Sequence, residues 1–111
     1  MSTPRIYLCG PMTGLPDYNY PAFNAEAARL RALGYDIENP AGNEHPANQT
    51  WPGYMRAALA QMLTCDAIAL LPGWTESKGA VIERQLAMDV DILICVADSI
   101  NEPDDITFPQ D

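Results

Sequence analysis

The fold is decided by one stretch of the chain, 67-AIALLPGWTESKGAVIE-83. Its apolar run over residues 67–71 stops at Pro72-Gly73, as a buried strand does at its C-terminal end. A polar loop follows, and from Ala80 the apolar spacing becomes helical. In an open α/β sheet, ligands bind in the crevice outside the carboxyl ends of the strands. The loop is therefore predicted to face a pocket, and Glu83, in the first turn of the helix, to point back into it.

Position alone leaves two interpretations of Glu83. The positive end of a helix dipole favours an ionised carboxylate, and such a group beside a pocket can act as a nucleophile or a base. A glutamate in a first helical turn is equally typical of a charge that only stabilises the helix.

Composition and charge limit the classes of partner. With 111 residues, of which 48% are hydrophobic and 19% charged, the chain is expected to form a single folded domain over residues 1–111. Its six Lys and Arg against fifteen Asp and Glu give a net charge of −9. Binding to duplex nucleic acid or to an anionic membrane needs clustered positive charge, so we expect neither kind of binding. A small phosphorylated ligand stays compatible, since loop amides and helix N-termini can hold one.

The cysteines and the N-terminus indicate a cytoplasmic protein. Cys9, Cys65 and Cys95 are odd in number and form no CxxC pair, which argues against both a disulfide framework and a zinc site. No signal-peptide pattern and no apolar stretch of membrane-spanning length is present. We expect buried thiols in a reducing cytosol, no metal and no cofactor.

Strands and helices alternate along the rest of the sequence. Strands are predicted at residues 5–9, 35–38, 67–71 and 91–96, and helices at residues 21–33, 52–63 and 80–89. This order predicts right-handed βαβ units and a parallel sheet with helices on both faces. From about residue 98 the chain carries four Asp and one Glu, which predicts an acidic, loosely held tail, with residues 106–108 as candidates for a short extra strand.

Two loops contain further candidate residues. Residues 10–20 form a long loop rich in turn formers, which is typical of a functional segment, although it matches neither a GxGxxG nor a P-loop pattern. Its glycines would let the backbone approach a ligand closely. The lone histidine, His45, lies in the irregular stretch 41–51, where a solvated surface role is the more typical one.

Several segments together resemble the nucleoside 2-deoxyribosyltransferase superfamily. They are 6-IYLCGPMTG-14, 65-CDAIALLPGW-74 and the SKGAxxE element that ends at Glu83. The likeness spans about residues 5–96 and is greatest to the small, phage-type uncharacterised branch. It implies a flavodoxin-like (Rossmann-like) three-layer sandwich with a parallel sheet of four or five strands.

The resemblance also implies a site and an activity. Glu83 would attack C1′ of a deoxynucleoside or its 5′-monophosphate, and Tyr7 would orient that nucleophile. A second base or water would then resolve the covalent glycosyl-enzyme. The predicted substrate-binding residues are Gly10, Met12, Asp17, Trp74, Ser77 and Gly79. Without the resemblance, each of three residues also has an ordinary structural role. Tyr7 can be an aromatic residue packed within a strand, Ser77 can cap a helix, and Trp74 can shield the core from solvent.

One position departs from the family pattern. Active relatives usually carry an acidic residue eight positions before the aspartate that matches Asp66, and Ala58 stands there. A general acid that protonates the departing base is typically worth about 10²–10⁴ in rate. Asp17, Asp66 or a partner chain could replace it, although Asp66 is more typical of a structural cap.

Two alternatives to an enzyme follow from this departure. One is a nucleotide-binding module without turnover, and the other is an oligomeric interaction protein whose pocket is a relic of the fold. Because a short chain has few residues to close its own pocket, we expect a homo-oligomer.

Overall fold

A four-stranded parallel sheet forms the centre of the fold in the computed structural model, which describes residues 4–106. The strands are β1 (Arg5–Cys9), β2 (Asp36–Glu38), β3 (Ala67–Leu70) and β4 (Leu93–Val96), in the spatial order β2-β1-β3-β4. The helices are α1 (Tyr20–Ala32), α2 (Trp51–Met62) and α3 (Lys78–Asp89). This strand order is that of flavodoxin-like folds, and the predicted α/β architecture is confirmed.

Alternation along β1 sorts the core into two layers. Ile6 and Leu8 pack with α1 on one face of the sheet, whereas Tyr7 and Cys9 pack with α2 and α3 on the other. Both faces of β1 and β3 are buried, because each strand has a neighbour on either side and helices above and below. The side chains of Tyr7 and Cys9 therefore lie under α3.

The fourth strand is shorter and more exposed than the sequence predicted. Asp91 has φ of 64° and forms a turn, so β4 begins at Leu93 rather than at residue 91. It is one of the two edge strands of the described sheet, and its Leu93 is 38% exposed and its Val96 51% exposed. The continuous apolar run thus does not place this strand at the centre.

The segment after β4 is held more firmly than the predicted loose tail. Ala97 and Ile100 are buried against the α1 layer, and the Arg29 guanidinium donates hydrogen bonds to both of their carbonyl oxygens, at 2.9 and 2.6 Å. Tyr35 Oη donates to the carbonyl of Glu102 at 2.8 Å. Ile106 is not in a strand, and the other two residues of the predicted extra strand lie outside the described residues. Within residues 4–106, no helix combines the length and apolar character needed to cross a bilayer.

The irregular segment before α2 packs closely against the first turn of that helix. Thr50 caps the helix by accepting a hydrogen bond from the N–H of Gly53 at 3.2 Å. A Cβ atom added at Gly53 would lie 1.9 Å from the backbone oxygen of Asn48. Only glycine lets the segment and the helix approach this closely.

Gly53→Ala is therefore expected to lower the free energy of unfolding by about 1–3 kcal/mol through overpacking. This runs against helix propensity, since alanine is favoured over glycine in a helix by about 1 kcal/mol. Urea denaturation measures the change. Gly42→Ala is the matched control, because no heavy atom lies within 4 Å of its added Cβ. Equal stability of the two variants would contradict the close approach.

Candidate active site

Glu83, Tyr7 and Cys9 meet beneath α3 near the carboxyl end of β1. Glu83 is only 6% exposed and is the one buried charged residue in the described part of the chain. Tyr7 and Cys9 are fully buried, and as alternate residues of β1 they face the same side of the sheet. This is the crevice position at which ligands bind in open α/β sheets.

The start of α3 differs from the prediction in a way that changes the surroundings of Glu83. Ser77 Oγ accepts a hydrogen bond from the N–H of Ala80 at 3.2 Å, so Ser77 is the N-cap and the helix begins at Lys78. Glu83 consequently lies in the second turn, not the first. The favourable effect of the helix dipole falls off within the first turn, so burial outweighs it here.

Each oxygen of the Glu83 carboxylate has its own protein donor. Tyr7 Oη donates a hydrogen bond to Oε2, and the Cys9 thiol lies 3.5 Å from Oε1. The Cys9 sulfur is also 3.6 Å from the carbonyl oxygen of Ala80, an alternative acceptor for the same S–H. The two donors come from one strand and fix the orientation of the carboxylate.

Burial controls the protonation of all three groups. It raises the pKa of Glu83 from 4.5 to about 7, while the hydrogen bonds from Tyr7 and Cys9 act in the opposite direction. Burial, followed by the nearby Glu83 charge, also raises the pKa values of Tyr7 and Cys9. Both side chains therefore stay protonated and remain donors. Glu83 is ionised in only part of the molecules at neutral pH, contrary to the sequence-based expectation of a readily ionised carboxylate.

A cavity of about 270 Å³ opens onto Glu83 and Tyr7. Its size is close to the lower end of ligand pockets, roughly 300–1,000 Å³, which suits a small ligand. Glu83 lines its buried part, whereas His45 and Tyr54 are exposed and line its open side. The wall formed by the segments before and within α2 consists of Pro40, Asn43, Glu44, His45, Pro46, Trp51, Tyr54, Met55, Ala57 and Ala58.

Most of the residues predicted from the sequence lie around this one cavity. They are Tyr7, Gly10, Met12, Ser77, Gly79 and Glu83. Asp17 and Trp74 do not line it. Asp17 is exposed and belongs to a short 3-10 turn, Pro16–Asn19, where its φ is 51°. Trp74 packs against the α2/α3 layer of the core, with the Arg84 guanidinium 5.2 Å from its ring centroid.

The two glycines of the cavity also have a packing role. A Cβ at Gly10 would lie 2.9 Å from Cβ of Leu71, so glycine lets the end of β1 approach the end of β3. A Cβ at Gly79 would lie 3.2 Å from Sδ of Met55, so glycine brings α3 close to α2. Substrate binding by these glycines stays a prediction.

Neither position 58 nor Asp66 supplies a carboxyl group to the cavity. Ala58 lines the cavity, so this wall lacks a carboxyl group at that position. Asp66 precedes β3 and its Oδ2 accepts a hydrogen bond from the N–H of Arg5 at 2.8 Å. It therefore caps the amino ends of the strands, whereas the cavity lies at their carboxyl ends.

Reasoning from the sequence missed several residues of the site, among them Cys9, Tyr54 and His45. Cys9 had been assigned only to the core, although its spacing of two from Tyr7 on a strand indicates the same face. Tyr54 precedes Ala58 by four residues, which places both on one face of α2. His45 carries no such signal, because its position depends on the course of an irregular segment.

The family model of DUF4406, a domain of unknown function, matches residues 4–96. The chain belongs to the DUF4406 family. Every residue of the candidate site lies within this match, so the cavity is part of the DUF4406 domain itself. No curated protein matches the sequence. In the described residues of the domain, no group of three or more His, Cys, Asp or Glu side chains is arranged to hold a metal ion.

The raised pKa of Glu83 predicts a pH-dependent stability of the domain. A carboxyl that titrates at 4.5 when unfolded and at about 7 when folded binds its proton more tightly in the native state. Native stability is therefore lost as pH rises from the unfolded pKa through the folded one. Because Glu83→Gln carries no charge to bury, the stability of this variant relative to the wild type should increase by about 2–3 kcal/mol between about pH 5 and pH 8.

Urea denaturation of both proteins across this pH range measures the effect. The exposed Glu102 provides the control, since Glu102→Gln removes a carboxyl that is not buried. A stability difference between Glu83→Gln and the wild type that stays constant with pH would show that Glu83 is not protonated by burial.

Proposed function

We propose that this DUF4406 domain cleaves the N-glycosidic bond of a 2-deoxynucleoside or its 5′-monophosphate, with Glu83 as the nucleophile. One observation carries the proposal: a buried carboxylate, oriented on both oxygens by Tyr7 and Cys9, lines a small cavity at the carboxyl end of a parallel sheet. The resemblance of the segments 6–14 and 65–83 to the nucleoside 2-deoxyribosyltransferase superfamily supports the substrate class.

The chemistry follows from the two states of Glu83. The ionised form attacks C1′ as the bond from C1′ to the base nitrogen breaks, and the bond electrons leave with the base. Tyr7 holds Oε2, which leaves Oε1 beside the weaker Cys9 donor as the attacking oxygen. Water or a second base then displaces the carboxylate from C1′. A pKa of about 7 gives a carboxylate that is more basic than a solvated one and is still ionised in part near neutral pH.

The start of α3 supports a sugar or 5′-phosphate site within the same proposal. Ser77 and Gly79 line the cavity at the N-terminal end of the helix, where unpaired backbone N–H groups and the helix dipole favour an anion. Lys78 lies between them, with its Nζ 4.5 Å from the centroid of the Trp51 ring. This arrangement supports a binding mode in which the anionic end of a nucleotide lies near α3 and the base lies on the side of the cavity near α2.

A second function is favoured by Ala58. A cavity wall without a carboxyl at this position is what a nucleotide-binding module without turnover would have. In that case Glu83 would serve to bind the sugar in its protonated form rather than attack it.

The two functions are separated by an assay of base release. We expect the wild-type protein to release free base from at least one of the four 2′-deoxynucleoside 5′-monophosphates or the corresponding deoxynucleosides. Chromatography measures the free base. Glu83→Gln should lower the rate of base release by about 10²-fold or more, because the side-chain amide of glutamine cannot form the glycosyl ester.

The control is again Glu102→Gln, which should release base at the wild-type rate. Equal release by the wild type and Glu83→Gln would overturn the nucleophile assignment. No release by any protein, together with nucleotide binding by calorimetry, would establish the binding module instead.

Self-association is a further part of the proposal. The outer side of β4 has no strand partner within residues 4–106, and Leu93 and Val96 of this strand are exposed. Met88 and Val90, about half exposed, precede this edge. Edge strands with apolar side chains tend to pair with another chain, so a second copy is the expected partner.

We expect light scattering at micromolar concentration to give at least a dimer, and Val96→Lys to shift the protein toward the monomer. Leu63→Lys is the matched control, because Leu63 is similarly exposed, at 52%, but lies at the end of α2. A monomeric wild type would contradict the proposed assembly.

A further inference from the structure

His45 and Tyr54 form a polar pair on the open side of the cavity. Nδ1 of His45 lies 2.7 Å from Oη of Tyr54, within hydrogen-bonding distance. The two rings also meet edge to face, with centroids 5.7 Å apart and planes at 87°. Two contacts thus hold the imidazole against α2, and the hydrogen bond at Nδ1 leaves Nε2 as the ring nitrogen available to a ligand.

This pair lies beside the position at which the cavity wall lacks a carboxyl group. Tyr54 precedes Ala58 by four residues, about one 5.4 Å turn of α2, and both residues line the cavity. Side chains of a helix lean toward its N-terminus, so the surface above Ala58 extends toward the turn that holds Tyr54. A group bound above Ala58 would therefore meet the His45–Tyr54 pair.

We propose that His45, oriented by Tyr54, protonates the base as it leaves. The inference rests on the proposed function, and it assigns to His45 the step for which Ala58 has no suitable group. Glu83 lines the buried part of the cavity and His45 its open side, so a deoxynucleoside with C1′ against Glu83 would extend its base toward the imidazole. Imidazole is the side chain best suited to donate a proton near neutral pH.

An oxygen of Glu83 forms a bond to C1′, the bond between C1′ and the base nitrogen breaks, and its electron pair passes to the base. The imidazolium of His45 gives the Nε2 proton to a ring nitrogen of the base, which leaves neutral, and becomes a neutral imidazole. Throughout, Nδ1–H donates to Oη of Tyr54. Water then attacks C1′, restores the carboxylate and returns one proton to His45.

Glu44 is the one residue of the same wall that carries a carboxyl group, and it is next to His45 in the sequence. Its carboxyl is exposed, and within the described residues no hydrogen bond orients it. A proton donor must be held within hydrogen-bonding reach of its acceptor. The structure therefore favours His45, and Glu44 serves as the matched comparison.

The test compares two substrates that differ in their need for a proton. 2′-Deoxyguanosine 5′-monophosphate releases a base that must be protonated, whereas its 7-methyl derivative already carries a positive charge on the base and releases it without one. His45→Ala should lower the rate of base release from the first substrate by about 10²-fold or more, which is the usual worth of a general acid. Release from the 7-methyl substrate should change less than about threefold.

Two further variants refine the assignment. Tyr54→Phe keeps the ring contact but removes the partner of Nδ1, so it should produce a smaller loss with the same selectivity for the unmethylated substrate. Glu44→Gln should affect both substrates little. Circular dichroism of each variant checks that the fold is retained, which is expected because His45, Tyr54 and Glu44 are all exposed.

The outcomes separate this inference from the function on which it rests. Equal loss on both substrates in His45→Ala, or a selective loss in Glu44→Gln instead, would overturn the role of His45 and leave Glu83 as the nucleophile. Wild-type cleavage of the 7-methyl substrate alone would show that the site holds no working acid, which also overturns it. Absence of base release by the wild type from both substrates and from every other deoxynucleoside and deoxynucleoside 5′-monophosphate would contradict the proposed function itself.

Discussion

The burial of one carboxyl group between α3 and β1 is the constraint on which the site depends. An ionised carboxylate loses its hydration when buried, so it persists only if protein donors replace the water. Here Tyr7 and Cys9 do so for one oxygen each, from alternate positions of a strand that is buried over residues 6–9. The arrangement requires α3 to lie close to the end of β1, and the small residues Gly10 and Gly79 permit the neighbouring elements to approach that closely.

Much of the fold could be predicted because its signals are local. Apolar runs ended by glycine or proline located β1 and β3, and the alternation of strands with helical patterns required a parallel sheet with helices on both faces. The position of β4 could not be predicted, because an apolar run is the same whether a strand lies at the centre or at the edge. The start of α3 depended on which of several polar residues acts as the cap, and Ser77 does so.

The site divides in the same way. Glu83 and Tyr7 lie on regular elements. Their sequence segments predicted that the two side chains meet, and in the structure they are hydrogen-bonded. The pKa of Glu83 could not be anticipated, since it depends on burial that only the packing of α3 creates. His45 was assigned to the solvent because a single histidine in an irregular segment has no pattern. Its place beside Tyr54 depends on the course of that segment, in which Asn48 packs against Gly53.

The two sides of the cavity suit the two halves of the proposed glycosidic cleavage for a physical reason. A nucleophile gains from burial, because desolvation makes the carboxylate more basic, but the same burial keeps part of it protonated at neutral pH. A proton donor to the base gains from exposure, since it must recover its proton from water after each turnover. In the proposed reaction, the buried Glu83 on rigid elements and the exposed His45 on an irregular segment satisfy these opposite demands, and His45 supplies the proton that an acidic residue at position 58 would have given.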